Sequence, residues 1–187
     1  MSNAVSVLGG AGFSGIIRVV DAGVTGMITL RGDLACPKIA GAVKATVGVN
    51  LPQARNITQN GHNGAGWMSS DELLLTCPYE EACTKVEKLE EALKGEYFLV
   101  ADVSDARARF TLTGAAVREV LAKGSPADLS PGAWPVGELR RTRLGQVAVA
   151  FWLRDDITAE LVCFRSLGKF VWDWLNVTAG DDVPGYF

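Results

Sequence analysis

Two short connections constrain this chain more than anything in its composition. A strand pattern over residues 146–153 is followed by another over residues 158–164, with only a turn around Asp155-Asp156 between them. Residues 97–103 and 107–113 are separated by little more than Ser104-Asp105. A crossover between parallel strands takes about a dozen residues or more, so both connections predict antiparallel neighbours. The strand over 97–103 is apolar on both faces apart from Asp102. The one over 107–113 alternates, with Ala108, Phe110 and Leu112 opposite Arg107, Arg109 and Thr111.

The rest of the chain supplies helices for these strands. Pro37 opens a helix whose apolar face is Ile39, Val43 and Val47, after a strand over residues 27–31. Pro78 opens a second, striped by Tyr79, Ala82, Cys83, Val86, Leu89 and Leu93, after a strand over residues 72–76. Thr113 caps a short third helix with Val117, Val120 and Leu121 inward. Ser166 caps the last, in which Leu167, Phe170, Val171, Trp174 and Leu175 form one amphipathic stripe. Residues 50–66 and 125–137 read as loops. The expected fold class is α+β: antiparallel sheets with packed helices in repeated ββα units. The expected organisation is an irregular leader over 1–24 and one domain over 25–179. That domain is built as two interlocked halves, 25–96 and 97–179, and a short tail follows over 180–187.

With 187 residues, 48% apolar and 21% charged, the chain can bury a core without disulfides or metal. A net charge of -3 gives no footprint for nucleic acid or an anionic membrane. His62 is the only histidine, so sites that need two are excluded. It lies in Asn60-Gly61-His62-Asn63-Gly64, a turn-forming stretch that places it in solvent. Cys36, Cys77, Cys83 and Cys163 match no zinc spacing and read as reduced thiols of a cytoplasmic protein. The first residues carry no basic signal-peptide region, and no apolar run approaches the ~20 residues of a membrane span.

Gly10-Ala11-Gly12-Phe13-Ser14-Gly15 spells the glycine pattern of dinucleotide-binding loops, with Asp33 near the place of a ribose-binding acid. Such a loop must open a helix, and Ile16, Ile17, Val19 and Val20 with Gly23 and Gly26 leave no room for one. Asp102 and Asp105 read as turn caps. Arg140, Arg141 and Arg143 read as a solvated strand end, and Asp155-Asp156 as a hairpin tip. Trp172 lies outside the stripe of the last helix, either half-buried under a loop or part of a partner surface, and is the interface candidate.

An ordered set of segments carries a resemblance. Gly26 to Asp33 is followed by Trp67 to Leu75, then Asp102 to Arg107 and Gly114 to Gly124. Arg141-Thr142-Arg143-Leu144 and Arg165-Ser166 then lead into Trp172-Asp173-Trp174-Leu175. In this order the chain resembles the gamma subunit of heterotetrameric sarcosine oxidase, over about residues 25–178. The C-terminal half is also similar to the folate-binding aminomethyltransferases of glycine cleavage. There a glycine-rich loop follows an Arg-Thr pair and precedes a Gly-Phe-Glu-Leu strand. This chain keeps Arg141-Thr142 but continues Arg143-Leu144-Gly145, and has Thr158-Ala159-Glu160-Leu161 at the strand. Glu160 thus falls where that family places a folate-contacting glutamate, and Arg141 and Glu160 are the folate-site candidates. A charge on a buried strand needs a partner, so the other reading of Glu160 is an ion pair with an arginine. The resemblance implies an aminomethyltransferase-like fold and a non-catalytic gamma-type subunit that packs on an alpha-type subunit, with beta and delta subunits in the complex. It places FAD, FMN, NAD, tetrahydrofolate and zinc on those other subunits and none on this chain. The alternative is a stand-alone folate-binding or folate-dependent one-carbon-transfer protein.

Overall fold

The structure, a computed structural model, describes residues 4–180 and 182–187. The first three residues of the expected leader and Asp181 of the expected tail lie outside them. In chain order the strands are β1 (Gly12–Ser14), β2 (Arg18–Asp21), β3 (Gly26–Gly32), β4 (Ile57–Asn60), β5 (Asn63–Ser69) and β6 (Glu72–Cys77). They continue as β7 (Phe98–Asp102), β8 (Arg107–Thr113), β9 (Leu139–Leu144), β10 (Val147–Asp155) and β11 (Thr158–Phe164). The helices are α1 (Pro37–Val47), α2 (Ala82–Ala92), α3 (Val117–Ala122) and α4 (Gly168–Gly180). No helix is long and apolar enough to cross a membrane.

These elements form two compact units. Thr25–Asp105 makes one; Met1–Val24 and Ala106–Phe187 together make the other. The division falls after Asp105 rather than after residue 96, because β7 belongs with the elements before it. It pairs with β3, from Ile28 opposite Asp102 to Gly32 opposite Phe98. The expected hairpin between β7 and β8 is therefore absent: β8 pairs with β2 and β11 in a different sheet. Short connectors enforce antiparallel pairing only between strands of one sheet, and local hydrogen bonds divert this one. The Val103 N–H donates to the Met27 carbonyl at 2.8 Å. The Met27 N–H donates to Ser104 Oγ at 2.9 Å, and the Ser104 N–H to Asp102 Oδ1 at 2.9 Å. The chain is held to β3 as far as Ser104, and β8 then enters the other sheet.

The unit over 25–105 is an antiparallel sheet in the order β4-β5-β6-β3-β7, with α1 and α2 packed together on its core. Ile28, Leu30, Ile39, Val43, Leu73, Leu75 and Leu89 are fully buried there. Part of the expected loop over 50–66 is the β4–β5 hairpin, with exposed His62 at its tip. Thr58, Gln59 and Asn60 and the glycines of β5 carry little alternation of apolar and polar residues, so the pattern that betrays a strand is missing.

The second unit is a six-stranded antiparallel sheet in the order β1-β2-β8-β11-β10-β9. The β10–β11 hairpin is the one expected, with Asp155 Oδ1 accepting the Ile157 N–H at its turn. Phe110, Leu112, Phe151, Leu161 and Trp134 form its core with Val171 and Leu175 of α4. Arg118 of α3 ties down the loop over 125–137. Its Nη1 donates to the carbonyls of Leu129 and Trp134, and its guanidinium lies 5.3 Å from the Trp134 ring centre. Burial pulls the pKa of Arg118 down. The tail is anchored as well: the N–H groups of Tyr186 and Phe187 donate to the buried carboxylate of Glu119.

Two expectations fail within this unit. The leader is not irregular. β2 pairs with β8 from Arg18 opposite Thr113 to Asp21 opposite Phe110, and buries Ile17 and Val19 beside it. The stripe of α4 is also rotated. Val171 and Leu175 are buried with Gly168, Thr178 and Ala179, whereas Phe170 is 50% and Leu167 37% exposed. A Cβ at position 168 would lie 2.9 Å from Val7 and 3.2 Å from Ala108. The helix turns its glycine to this close approach, and Phe170 swings out.

Candidate functional site

The chemistry-bearing residues collect on the face of the six-stranded sheet away from Phe110 and Phe151. Cross-strand partners share a face, so register decides what meets what. Glu160 of β11 stands opposite Thr111 of β8 and Trp152 of β10. It is 1% exposed. Its Oε2 accepts hydrogen bonds from Arg109 Nε at 2.9 Å and Thr111 Oγ1 at 3.1 Å, and its Oε1 accepts one from Arg154 Nη1 at 3.2 Å. The Arg109 guanidinium lies 5.9 Å from the ring centre of buried Trp152. Both carboxylate oxygens are engaged by donors of their own chain, in charge-assisted bonds that hold the group in place. The cluster is an internal ion pair, and Glu160 does not present a free carboxylate edge to a ligand.

Arg141 does not join it. The residue stands on β9 opposite Ala150, and the β9 neighbour of Trp152 is Leu139. Arg141 is thus two strands from Glu160 and two residues further along, roughly 10 Å or more away by sheet geometry. The two folate-site candidates share a face without converging. Arg109, Thr111 and Arg154 complete the cluster instead. The alternation of β8 placed Arg109 and Thr111 opposite the core, but only the register with β11 brings them to Glu160.

The other singled-out residues have structural partners. Trp172 is half-buried on its own core, its ring 6.2 Å from that of Phe110. Asp33 Oδ1 accepts the Ala35 N–H in a turn. Asp102 caps the turn at Ser104, and Asp105 accepts from the Tyr79 hydroxyl at 3.1 Å, which raises the pKa of that phenol. The start of the leader's glycine motif is held by an anion of the chain itself. Asp21 is 3% exposed. Its Oδ2 accepts from Ser6 Oγ at 2.6 Å, the Leu8 N–H at 2.8 Å and the Gly10 N–H at 3.2 Å. Gly10 has φ +80°, a conformation that turns successive N–H groups to one side. The carboxylate thus takes up the Leu8 and Gly10 N–H groups at the start of the motif.

Cys36, Cys77, Cys83 and Cys163 are all free thiols. Burial pushes Cys77 up to about 11 and Cys163 up to about 12. Among the described residues no three His, Cys, Asp or Glu side chains converge to hold a metal ion.

Residues 31–181 match the model of the sarcosine oxidase, gamma subunit family. The chain belongs to that family. It is 35% identical over 128 residues to the gamma subunit of sarcosine oxidase from Arthrobacter sp., spanning 66% of this chain and 62% of that one. With the gamma subunit from Corynebacterium sp. (strain U-96) it is 31% identical over 136 residues, spanning 72% of this chain and 65% of the relative. The chain thus covers less than two thirds of these relatives' length. Its fold matches a chain of the heterotetrameric sarcosine oxidase of Corynebacterium sp. U-96 solved with pyrrole 2-carboxylate. The TM-score is 0.80 at 24% identity, covering 89% of this chain and 86% of that one. It also matches the glycine cleavage aminomethyltransferase of Bartonella henselae, with a TM-score of 0.58 at 14% identity over 85% of this chain and 47% of that one. The chain thus has the aminomethyltransferase-like α+β fold.

Proposed function

We propose that the chain is the gamma-type, non-catalytic subunit of a heterotetrameric sarcosine oxidase. The complex oxidises sarcosine with oxygen, giving hydrogen peroxide, and passes the methyl carbon to tetrahydrofolate, leaving glycine. In this reading the subunit is cytoplasmic and packs directly on the alpha-type subunit, alongside beta and delta. FAD, FMN, NAD, tetrahydrofolate and zinc are held by those other chains.

The observation that carries the reading beyond family membership is the closed Glu160 cluster. The resemblance puts a tetrahydrofolate contact at Glu160, and the bonds of that carboxylate within the chain speak against one here. The glutamate that would receive it is buried and bonded to Arg109, Thr111 and Arg154, and Arg141 stands two strands away. This supports a scaffold role over a folate-binding one.

Co-expression with the alpha-, beta- and delta-type subunits of the same genome, followed by affinity capture on this chain, tests the proposal. Recovery of a stoichiometric, coloured flavoprotein complex with sarcosine-dependent peroxide production is expected. Capture of this chain alone overturns it. Titration of the isolated chain with tetrahydrofolate addresses the stand-alone alternative: no saturable micromolar binding is expected, and saturable binding would favour a folate-dependent protein.

A further inference from the structure

The two sheets end in four edge strands, and three of them carry features that discourage another strand from pairing. β1 has three residues, β4 is largely polar, and β9 carries Arg140, Arg141 and Arg143. Short edges, polar residues and charges are the usual devices against unwanted pairing. β7 is five residues long and apolar from Phe98 to Ala101, with its one charge, Asp102, at the last position. Phe98-Leu99-Val100-Ala101-Asp102 runs in unbroken register along β3, with no proline, lysine or bulge. Preceding it, Tyr97 is 100% exposed, and Leu99 is 51% exposed.

The orientation of the backbone follows from one hydrogen bond. The Val103 N–H donates to Met27, so by the alternation of an antiparallel ladder Leu99, Ala101 and Val103 face β3. Phe98, Val100 and Asp102 then turn their N–H and C=O groups outward. Among the described residues these outward N–H groups have no backbone partner. Phe98 and Val100 pack their side chains into the core beneath, which holds the edge rigid. At the far end stand the carboxylates of Asp102 and Asp105.

We propose that β7 is completed by an extended strand from a partner subunit of the complex. Main-chain hydrogen bonds from that strand reach Phe98, Val100 and Asp102. Its apolar side chains cover Tyr97 and Leu99, and a basic residue meets Asp102. The inference rests on the subunit reading above and names the surface that would carry it. Strand addition suits the site because an exposed edge offers backbone donors and acceptors that only another extended backbone satisfies in series.

Hydrogen exchange on the full chain, alone and in the co-expressed complex, tests this. The amides of Phe98, Val100 and Asp102 are expected to exchange fast in the free chain and at least about 100-fold slower in the complex. Leu99→Lys places a charge of the kind that guards natural edges. It is expected to weaken capture of the complex by about tenfold or more with the melting curve of the free chain unchanged. A complex that forms with these amides still fast, or that captures the Leu99→Lys chain as well as the native one, overturns strand addition alone. Failure to capture any subunit overturns the subunit reading and this proposal with it. Dimers of the free chain with residues 98–102 protected would assign the edge to a second copy and overturn the partner strand.

Discussion

At the scale of single residues, Glu160 is the most consequential side chain. Removing its charge leaves Arg109, which is nearly buried, without a counter-ion, whereas Arg154 is half in solvent. Glu160→Gln is expected to cost about 3 kcal/mol in urea unfolding. Arg154→Ala should cost less than about 1 kcal/mol, because an exposed pair gains little. The buried thiols set a limit at high pH. The folded chain keeps protons on Cys77 up to about 11 and on Cys163 up to about 12, against an ordinary value of 9.0 that the unfolded chain regains. Above pH 9 the folded state therefore binds more protons than the unfolded state. The stability carried by these protonated thiols is present below pH 9 and falls as pH rises beyond it. The denaturation midpoint should decline as pH rises above 9, about on the scale of two titrating groups, and Cys163→Ala should remove the Cys163 share of that decline while leaving the Cys77 share. A thiol reagent at neutral pH should label exposed Cys83 in the native chain, and Cys77 and Cys163 only after unfolding.

At the scale of elements, α4 separates what sequence shows from what packing decides. Trp172 rests on Phe110, while Phe170 faces outward. Trp172→Ala is expected to cost about 2 kcal/mol in the isolated chain, below the full price of a buried tryptophan. Phe170→Ala should stay within about 0.5 kcal/mol. Chemical denaturation of the two variants checks the pair; equal effects would contradict the rotation of the helix. The existence of α4 was legible from its periodicity, but its phase was not, because Gly168 is drawn in by Val7 and Ala108, far away in sequence. The β10–β11 hairpin was legible because both strands and the Asp155-Asp156 turn are contiguous. β7 and β8 looked equally contiguous, yet they lie in different sheets, since the hydrogen bonds of Met27 and Ser104 are invisible to local pattern. The candidate site follows the same rule. Glu160 announced itself as a charge on a buried strand, whereas its partners on β8 and the bulged end of β10 required the register.

At the scale of the whole molecule, the leader is structural. β2 supplies a strand to the six-stranded sheet, Asp21 gathers the loop before it, and the Ile16 N–H donates to the Ala179 carbonyl at the end of α4. Deleting residues 1–24 is expected to lower the melting temperature by about 10 °C or more, an effect of several kcal/mol for a chain of this size. An unchanged melting curve would return the segment to the role of an unattached leader. Family membership came through the order of motifs along the chain, and the contribution of residues 4–24 to the fold came only from three-dimensional pairing.

That pairing has a consequence for how the protein is made. A ribosome delivers β2 before its partner β8, and the whole 25–105 unit lies between them. The segment that carries β2 must wait until residues 107–113 have emerged. Throughout that interval Ile16, Ile17, Val19 and Val20 have no place to dock. The central unit can close early, as domains do during synthesis. Closure of the other unit is a late, long-range event of the kind that slows folding. Nascent chains in which residues up to Asp105 have emerged should thus expose β2 as a sticky strand to chaperones, and chains in which β8 has emerged as well should expose it less.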